Sequence, residues 1–508
     1  MKKQFLIYFL ISCFLPAHAI VNPEPGENIW HLAASIGTEV DQLAINHTNC
    51  CTQTFTVLAA IVREEITIES KLDQCCFTLV SKLNSLTSTV QTDFEGTFTA
   101  IAAIQCGSSS SCTPTILTAP TIISASGNYC MSSNLTGDIT IAASEVTLSL
   151  NGFALTGAIT INPGVSNVTV QNGVIMPSAS TTNTYAINNS GTYVLLQNLN
   201  IQGTPTATSS VGGINNTASN VVIRECFIVA SAGGISGTAG GIGINNTGSN
   251  VIIKNNNIAG GNATGTANDG GDAINLNSVA NVLVIQSIIA RAGNGTTTGN
   301  GGAGINNVGI TSQIIECTIV TTGSGQIGAA NGGHGIFISS SSSTSLIRDC
   351  KIFNTGSGGN TGTGGSCIQD SGINGLIIDC QLATLASGQN GGSAIVELNA
   401  LGNVISNCFI EQTGNGSTLG GNGLFVTGTS NKIEARFCNI ANIGTGITNG
   451  FAVRDTTIGP ASENVYFANF AYNVLGPAYV FSTGSTVDGT TGTAFGLGTD
   501  RLSNVHKP

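Results

Sequence analysis

The sequence predicts an all-β fold, a right-handed parallel β-helix of about twelve coils, preceded by a helical N-terminal segment with a coiled-coil-like seam. Three observations carry this expectation. Eight segments align on one another every 28–33 residues. Each carries a small or polar residue (Cys226, Asn256, Ser287, Cys317, Cys350, Cys380, Cys408, Cys438). Two positions later comes a large aliphatic (Ile228, Ile258, Ile289, Ile319, Ile352, Leu382, Ile410, Ile440). Units this short cannot bury an apolar face alone and must stack. Second, charged residues make up only 8% of the 508, against a usual quarter, while Gly supplies 67 positions. Such a chain stays folded and soluble only if backbone bonding and regular stacking absorb its polar groups. Third, Gly-rich inserts recur after the aliphatic, at 259–271, 290–302 and 321–333, and are expected to protrude as loops.

Taken in order, residues 1–19 read as a secretory signal. Lys2 and Lys3 open it, residues 5–15 form the apolar core, and Ala17-His18-Ala19 is a small-x-small cleavage site. Leu10-Ile11-Ser12-Cys13 also fits a lipobox, a rival reading that leaves a short apolar core of about seven residues. No later stretch has the length of a spanning helix. The mature chain is therefore expected to be secreted or held at a cell surface, with no transmembrane segment. Residues 20–105 show helical spacing. Leu72, Cys76, Leu79, Leu83, Leu86 and Val90 alternate steps of four and three, a short heptad seam that can pair within a hairpin or with a second copy of the chain. His47 beside Cys50 and Cys51 lacks the spacing and companions of a zinc site.

Residues 106–127 form a linker, 128–475 the β-helix, and 476–508 a C-terminal cap or tail. The ladder extends backward through Gly152, Gly173 and Leu199 and forward to Phe470. A second row is small throughout: Gly213, Gly243, Ala273, Gly304, Gly335, Cys367, Ala394, Gly423 and Gly450. Close backbone approach is its expected role. Asn215, Asn245, Asn275 and Asn306 fall in register two residues later, as an expected hydrogen-bonded ladder, and give way to Phe337, Gln369, Val396 and Phe425. Fourteen of the 15 cysteines lie beyond the leader. Those in the coils share a register with apolar positions and are expected to be buried small hydrophobes.

The run Val146-Thr147-Leu148-Ser149-Leu150-Asn151-Gly152-Phe153 and the run Ser166-Asn167-Val168-Thr169-Val170-Gln171-Asn172-Gly173 resemble the opening coils of the pectate-lyase-like superfamily of secreted right-handed parallel β-helices (the pectin lyase-like fold). Later coils such as Asn220-Val221-Val222-Ile223-Arg224-Glu225-Cys226-Phe227-Ile228 are similar to that superfamily's repeat, and the resemblance spans about 128–473. It implies the fold and leaves the activity open. Ser149 stands where the family often has Asp. Gly333-His334-Gly335 followed by Arg348-Asp349-Cys350-Lys351 resembles polygalacturonase-type glycosidases, but the spacing is Arg-x-x-Lys where that family has Arg-x-Lys. The family's central Asp pair is missing, because Ala303 among glycines fills that coil.

The residues themselves offer two chemical readings. A glycosidase needs two close carboxylates, for which Asp269 and Asp272 stand near His334. A calcium-dependent lyase needs an acidic cluster and a cationic base. Glu316, Asp349 and Asp379 recur at one position of consecutive coils beside Arg348 and Lys351, and Asp269 with Asp272 can also hold calcium. Both readings compete with the repeat. His334 holds the slot occupied elsewhere by Ile242, Asp272, Ala303, Ser366, Ser393 and Asn422, and the acidic row elsewhere holds Glu225, Asn255, Gln286 and Asn407. No cofactor is expected, calcium being the one candidate. A net charge of −11 excludes a nucleic-acid partner as the expectation. Aromatics are 5% of the chain, few for a carbohydrate platform, so a carbohydrate or a surface protein is an open partner. The reading that results is a secreted or surface-exposed structural or adhesin-like β-helix repeat protein, leaning away from an enzyme. A polysaccharide lyase or glycoside hydrolase is the alternative. A trimeric tail-spike-like protein is a third reading, against which the leader argues.

Overall fold

The computed structural model describes residues 114–457 except 178–184, 204–209, 234–237, 266–267, 278–279, 321, 327, 385, 442 and 446–449; beyond them it describes 463–467, 469–472, 479–480, 486–487, 490–491 and 502–503. All belong to one unit, Ser111–Pro508. The leader, the heptad seam, His47 and the first six cysteines beyond the leader lie outside the described residues, as does most of 476–508.

The unit is a parallel β-solenoid. A typical coil passes through Ile244–Asn246, turns into Val251–Lys254, bends, and continues through Asn257–Ala259. The first segment of each coil joins a 14-stranded sheet and the other two a 28-stranded sheet. Pairing is parallel throughout except at the last strands, where Ala471 meets Leu502 and Val487 meets Thr490 antiparallel. The opening coils are the shortest. Ile139 stacks on Ile159, 20 residues on, whereas Ile244 stacks on Ile274, 30 residues on. About ten turns carry the full three-segment repeat; shorter coils at the start and partial ones at the end bring the 14-stranded sheet beyond the twelve expected.

The core is a set of columns. Ile201, Ile228, Ile258, Ile289, Ile319, Ile352, Leu382, Ile410 and Ile440 stack in register and are all 0–1% exposed. Each buried aliphatic contributes roughly 1.5–3 kcal/mol relative to exposure. The small row faces that column. A Cβ on Gly243 would lie 2.6 Å from Ile258 Cγ2, and one on Gly335 would lie 2.4 Å from Ile352 Cγ2. The small residues are therefore the space into which the isoleucines fit. Two positions slip near the end of the repeat. Val453 stacks on Leu424, so Ala452 and not Gly450 holds the small slot. Phe470 pairs with Asn439, so Asn469 continues the cysteine row. The last coils carry no Ile at the diagnostic position, and a slip of one residue in a strand exchanges its faces.

The bend between the two segments of the 28-stranded sheet is a left-handed residue. Asn198, Glu225, Asn255, Gln286, Glu316, Asp349, Asp379, Asn407 and Phe437 all have φ between 50° and 56°. Asn and Asp tolerate this region best among residues with a Cβ, which accounts for most of the row. The carbonyls beside the bend stay in the ladder, Asn255 N donating to Ile285 O and Asp349 N to Ile378 O, each at 3.2 Å, and each carbonyl oxygen has a second lone pair to offer. The residue after the bend adds a second donor. Cys226 Sγ donates to Arg224 O at 3.2 Å, Ser287 Oγ to Ile285 O at 3.0 Å, and Cys380 Sγ to Ile378 O at 3.2 Å. Asn256 reaches Ile223 O of the preceding coil at 2.9 Å. The cysteines of the row are buried free thiols, and they are corner donors as well as small hydrophobes.

The Gly-rich inserts differ from the expectation of protruding loops. From Gly241 to Gly365 their glycines are knitted by backbone bonds that zigzag between two columns. Gly261 N donates to Gly241 O, Gly271 N to Gly261 O, and Gly293 N to Gly271 O, each at 2.8 Å. Backbones approach so closely that a Cβ on Gly293 would fall 1.6 Å from Gly261 O and one on Gly302 2.3 Å from Gly271 O. Glycine is required here by proximity.

Two outcomes are expected. Cys380→Ser keeps the corner donor and should be nearly neutral in denaturant unfolding, whereas Cys380→Val loses the side-chain donor but leaves Ile378 O its bond from Asp349 N and should cost about 0.5–1.5 kcal/mol. Gly302→Ala should lower the thermal midpoint, because the opposing atom is backbone that cannot turn aside. Gly164→Ala should cost less, since a Cβ there meets nothing within 4 Å and only its φ of 79° opposes it.

Candidate functional site

The residues singled out for chemistry fall into two groups on different sheets. The first precedes the 14-stranded sheet, where the residue before the small slot is Asp272, Ala303, His334, Ser366, Ser393, Asn422 and Phe451 in successive coils. Most of these are acceptors, and the structure gives the reason. Asp272 Oδ1 accepts from Ala303 N at 2.7 Å, His334 Nδ1 from Ser366 N at 3.0 Å, Ser393 Oγ from Asn422 N at 3.0 Å, and Asn422 Oδ1 from Phe451 N at 2.9 Å. Each side chain caps the amide one coil on. Asp272 Oδ2 also accepts from Asn306 Nδ2 at 3.0 Å, and the His334 ring stacks on Phe337 with centroids 5.9 Å apart.

Asp269 is exposed and caps Asn300 N at 2.6 Å, in a parallel column continued by Asn300 on Asn331 N. Asp272 and His334 stand two coils apart with Ala303 between them, about 10 Å at a strand spacing near 4.8 Å. Burial pushes the Asp272 carboxyl up to about 6, opposed by the bonds from Asn306 and Ala303 and reinforced by the Asp269 charge. Burial pushes His334 down to about 4.

The second group is the left-handed corner row. Glu316, Asp349 and Asp379 are exposed at successive bends. Gln286 Nε2 donates to Glu316 Oε2 at 2.8 Å, and Arg348 Nε lies 3.3 Å from Asp349 Oδ2. Burial raises the carboxyl of Asp349, opposed by Arg348 and reinforced by the charges of Asp379 and Glu316. Burial likewise raises that of Asp379, opposed by Asn407. Arg348 ends the strand before the bend and Lys351 begins the strand after it. The corner row is thus brought together as a column, but not with Asp272 or His334. Among the described residues no three Asp, Glu, His or Cys side chains converge as a metal ligand set.

Two features were missed in the sequence. On the outward face of the 14-stranded sheet the expected ladder is hydrogen-bonded from Asn215 through Asn245 to Asn275, at 2.9 and 3.0 Å, but Asn306 leaves it, its Nδ2 donating to Asp272 Oδ2. At the far end of that row, after Phe425, stands Arg454. Its guanidinium lies 5.2 Å from the Phe425 ring and 5.4 Å from the Phe451 ring, with no carboxylate partner among the described residues. Inside the same sheet runs a buried polar column. Asn189, Asn216 and Asn246 are bonded side chain to side chain at 2.7 and 2.6 Å, and the column later holds Asp370, Glu397 and Asp455, each no more than 1% exposed. The signal was available: these residues sit two positions after Ile214, Ile368, Ile395 and Val453, and period two places them inward.

The His334 geometry fixes a pH dependence. Unfolded, the imidazole binds a proton below about 6.5; folded, it does so only below about 4. Its contribution is therefore complete above about 6.5 and is lost as pH falls toward 4. His334→Asn keeps an acceptor of the kind Asn422 uses, so its unfolding midpoint should fall less than wild type between pH 7 and pH 4.5.

No family model and no curated protein matches the chain. Solved structures do align with it. The mannuronan C-5 epimerase AlgE6 A-module of Azotobacter vinelandii is 12% identical over 72% of this chain and 90% of its own, with a TM-score of 0.43. The AlgE4 A-module of the same organism is 12% identical over 72% and 91%, with a TM-score of 0.41. PfbA, a surface adhesin of Streptococcus pneumoniae, is 9% identical over 65% and 85%, with a TM-score of 0.29.

Proposed function

We propose that this chain is a secreted or surface-exposed structural or adhesive β-helix, with the segment 20–105 serving attachment or self-association. One observation supports this reading above others. Asp269 Oδ1, Asp272 Oδ1 and His334 Nδ1 each accept from an amide of the next coil, and Glu316, Asp349 and Asp379 occupy left-handed bends that favour such residues. A residue held by its neighbouring coil is poorly placed to transfer protons to a substrate. The low charge and amide-rich faces suit contact with a neutral surface, a carbohydrate or another protein.

The alternative is a polysaccharide lyase or glycoside hydrolase acting on the outward face of the 14-stranded sheet. Arg454 favours it, since a guanidinium over two rings without a carboxylate can meet an acidic group. Incubation of the full chain with acidic and neutral polysaccharides, with and without calcium, separates the two. No depolymerisation is expected, and substitution of His334 or Asp349 by Ala should leave any binding unchanged. An activity lost in His334→Ala or Asp349→Ala overturns the first reading.

A further inference from the structure

Asp370 and Glu397 form a buried acid pair that the preceding reading does not use. They are in-register partners on adjacent strands of the 14-stranded sheet, 1% and 0% exposed, so their Cα atoms stand about 4.8 Å apart. Asp370 Oδ1 accepts from Gly372 N at 2.6 Å. Glu397 Oε2 accepts from Asn403 Nδ2 at 2.8 Å, and Asn403 is itself fixed by Gly375 N at 2.7 Å. Glu397 Oε1 is buried with no partner. Asp455 provides the contrast. Further along the same column it accepts from Thr457 N, Asn464 Nδ2 and Tyr466 Oη at 3.0, 3.1 and 3.0 Å. The titratable groups that face the pair are Asp455 and Tyr466; no Lys, Arg or His among the described residues pairs with either carboxyl.

Two carboxylates this close, in an interior without a counter-charge, cannot both be ionised without large cost. We infer that Asp370 and Glu397 act as one unit that keeps one proton at neutral pH, and that its removal by alkali loosens the coils from Ile368 to Leu398. The proton sits on Glu397 Oε1, the oxygen left without a partner; on deprotonation it passes to solvent hydroxide as water. Burial raises both carboxyls, Asp370 to about 6 and Glu397 well beyond the ordinary range. The stability they contribute is thus complete below the unfolded carboxyl range near 4 and is lost as pH rises through about 6 and above.

The test is thermal unfolding of the full chain and of Glu397→Gln between about pH 5 and about pH 9, with infrared spectra at pH 7. The wild-type midpoint should fall with rising pH and the variant's should fall less, so that the variant is the more stable at pH 9. The wild-type spectrum should hold a protonated-carboxyl band that the variant loses. Parallel pH curves overturn the inference. If the variant does not fold, the wild-type spectrum decides alone: absence of a protonated carboxyl at pH 7 overturns it.

Discussion

In-register stacking of one coil on the next sets the terms for the described side chains of the solenoid. A residue in a parallel stack has its own counterparts above and below it, about 4.8 Å away. Isoleucine stacks on isoleucine, as at Ile258 and Ile289, and the opposing column must then be small, as at Gly243 and Ala273. The residue after the bend is buried and mostly small, and Cys, Ser or Asn there adds a donor to a carbonyl that the ladder already holds. At four lead-ins to the 14-stranded sheet a side-chain acceptor of the previous coil covers the amide. Polar residues that look like catalytic groups in a linear sequence are, in the stack, members of these columns.

The same constraint makes like charges costly unless they are solvated or protonated. Glu316, Asp349 and Asp379 follow one another, but at exposed bends where water and Arg348 moderate their repulsion. Asp370 and Glu397 follow one another inside, where neither remedy exists. The interior column changes character along its length, from amides at Asn216 and Asn246 to acids at Asp370 and Glu397. Amides satisfy one another down a stack, because each offers both a donor and an acceptor. Two carboxylates offer only acceptors, and a proton is the smallest change that restores a donor.

Much of the fold was legible in the sequence, because Ile at a fixed register is a strong inward marker. The columns of Ile228 and Ile258, the small row and the outward Asn ladder all followed from it. The slips to Ala452 and Asn469 occur where that marker stops. The corner row was read as a set of acids because side-chain charge was visible and φ was not; its common property is a left-handed backbone. The inserts were read as loose loops because glycine usually signals freedom, whereas here its missing Cβ admits a neighbouring backbone. Arg454 was hidden because its aromatic partners come from other positions, Phe425 one coil away and Phe451 three residues earlier. The buried acids are legible by the period-two rule, since each stands two positions after an inward aliphatic.

The candidate catalytic side chains Asp272 and His334 are committed to the next coil. Residue-resolved amide hydrogen exchange tests this most directly, at Ala303, Ser366 and Phe451, whose amides are covered only by Asp272, His334 and Asn422. Protection comparable to the sheet amides of Ile305 and Ile368 is the predicted result. Exchange at the rate of open loop amides would mean that these side chains are free for chemistry, and would contradict the account.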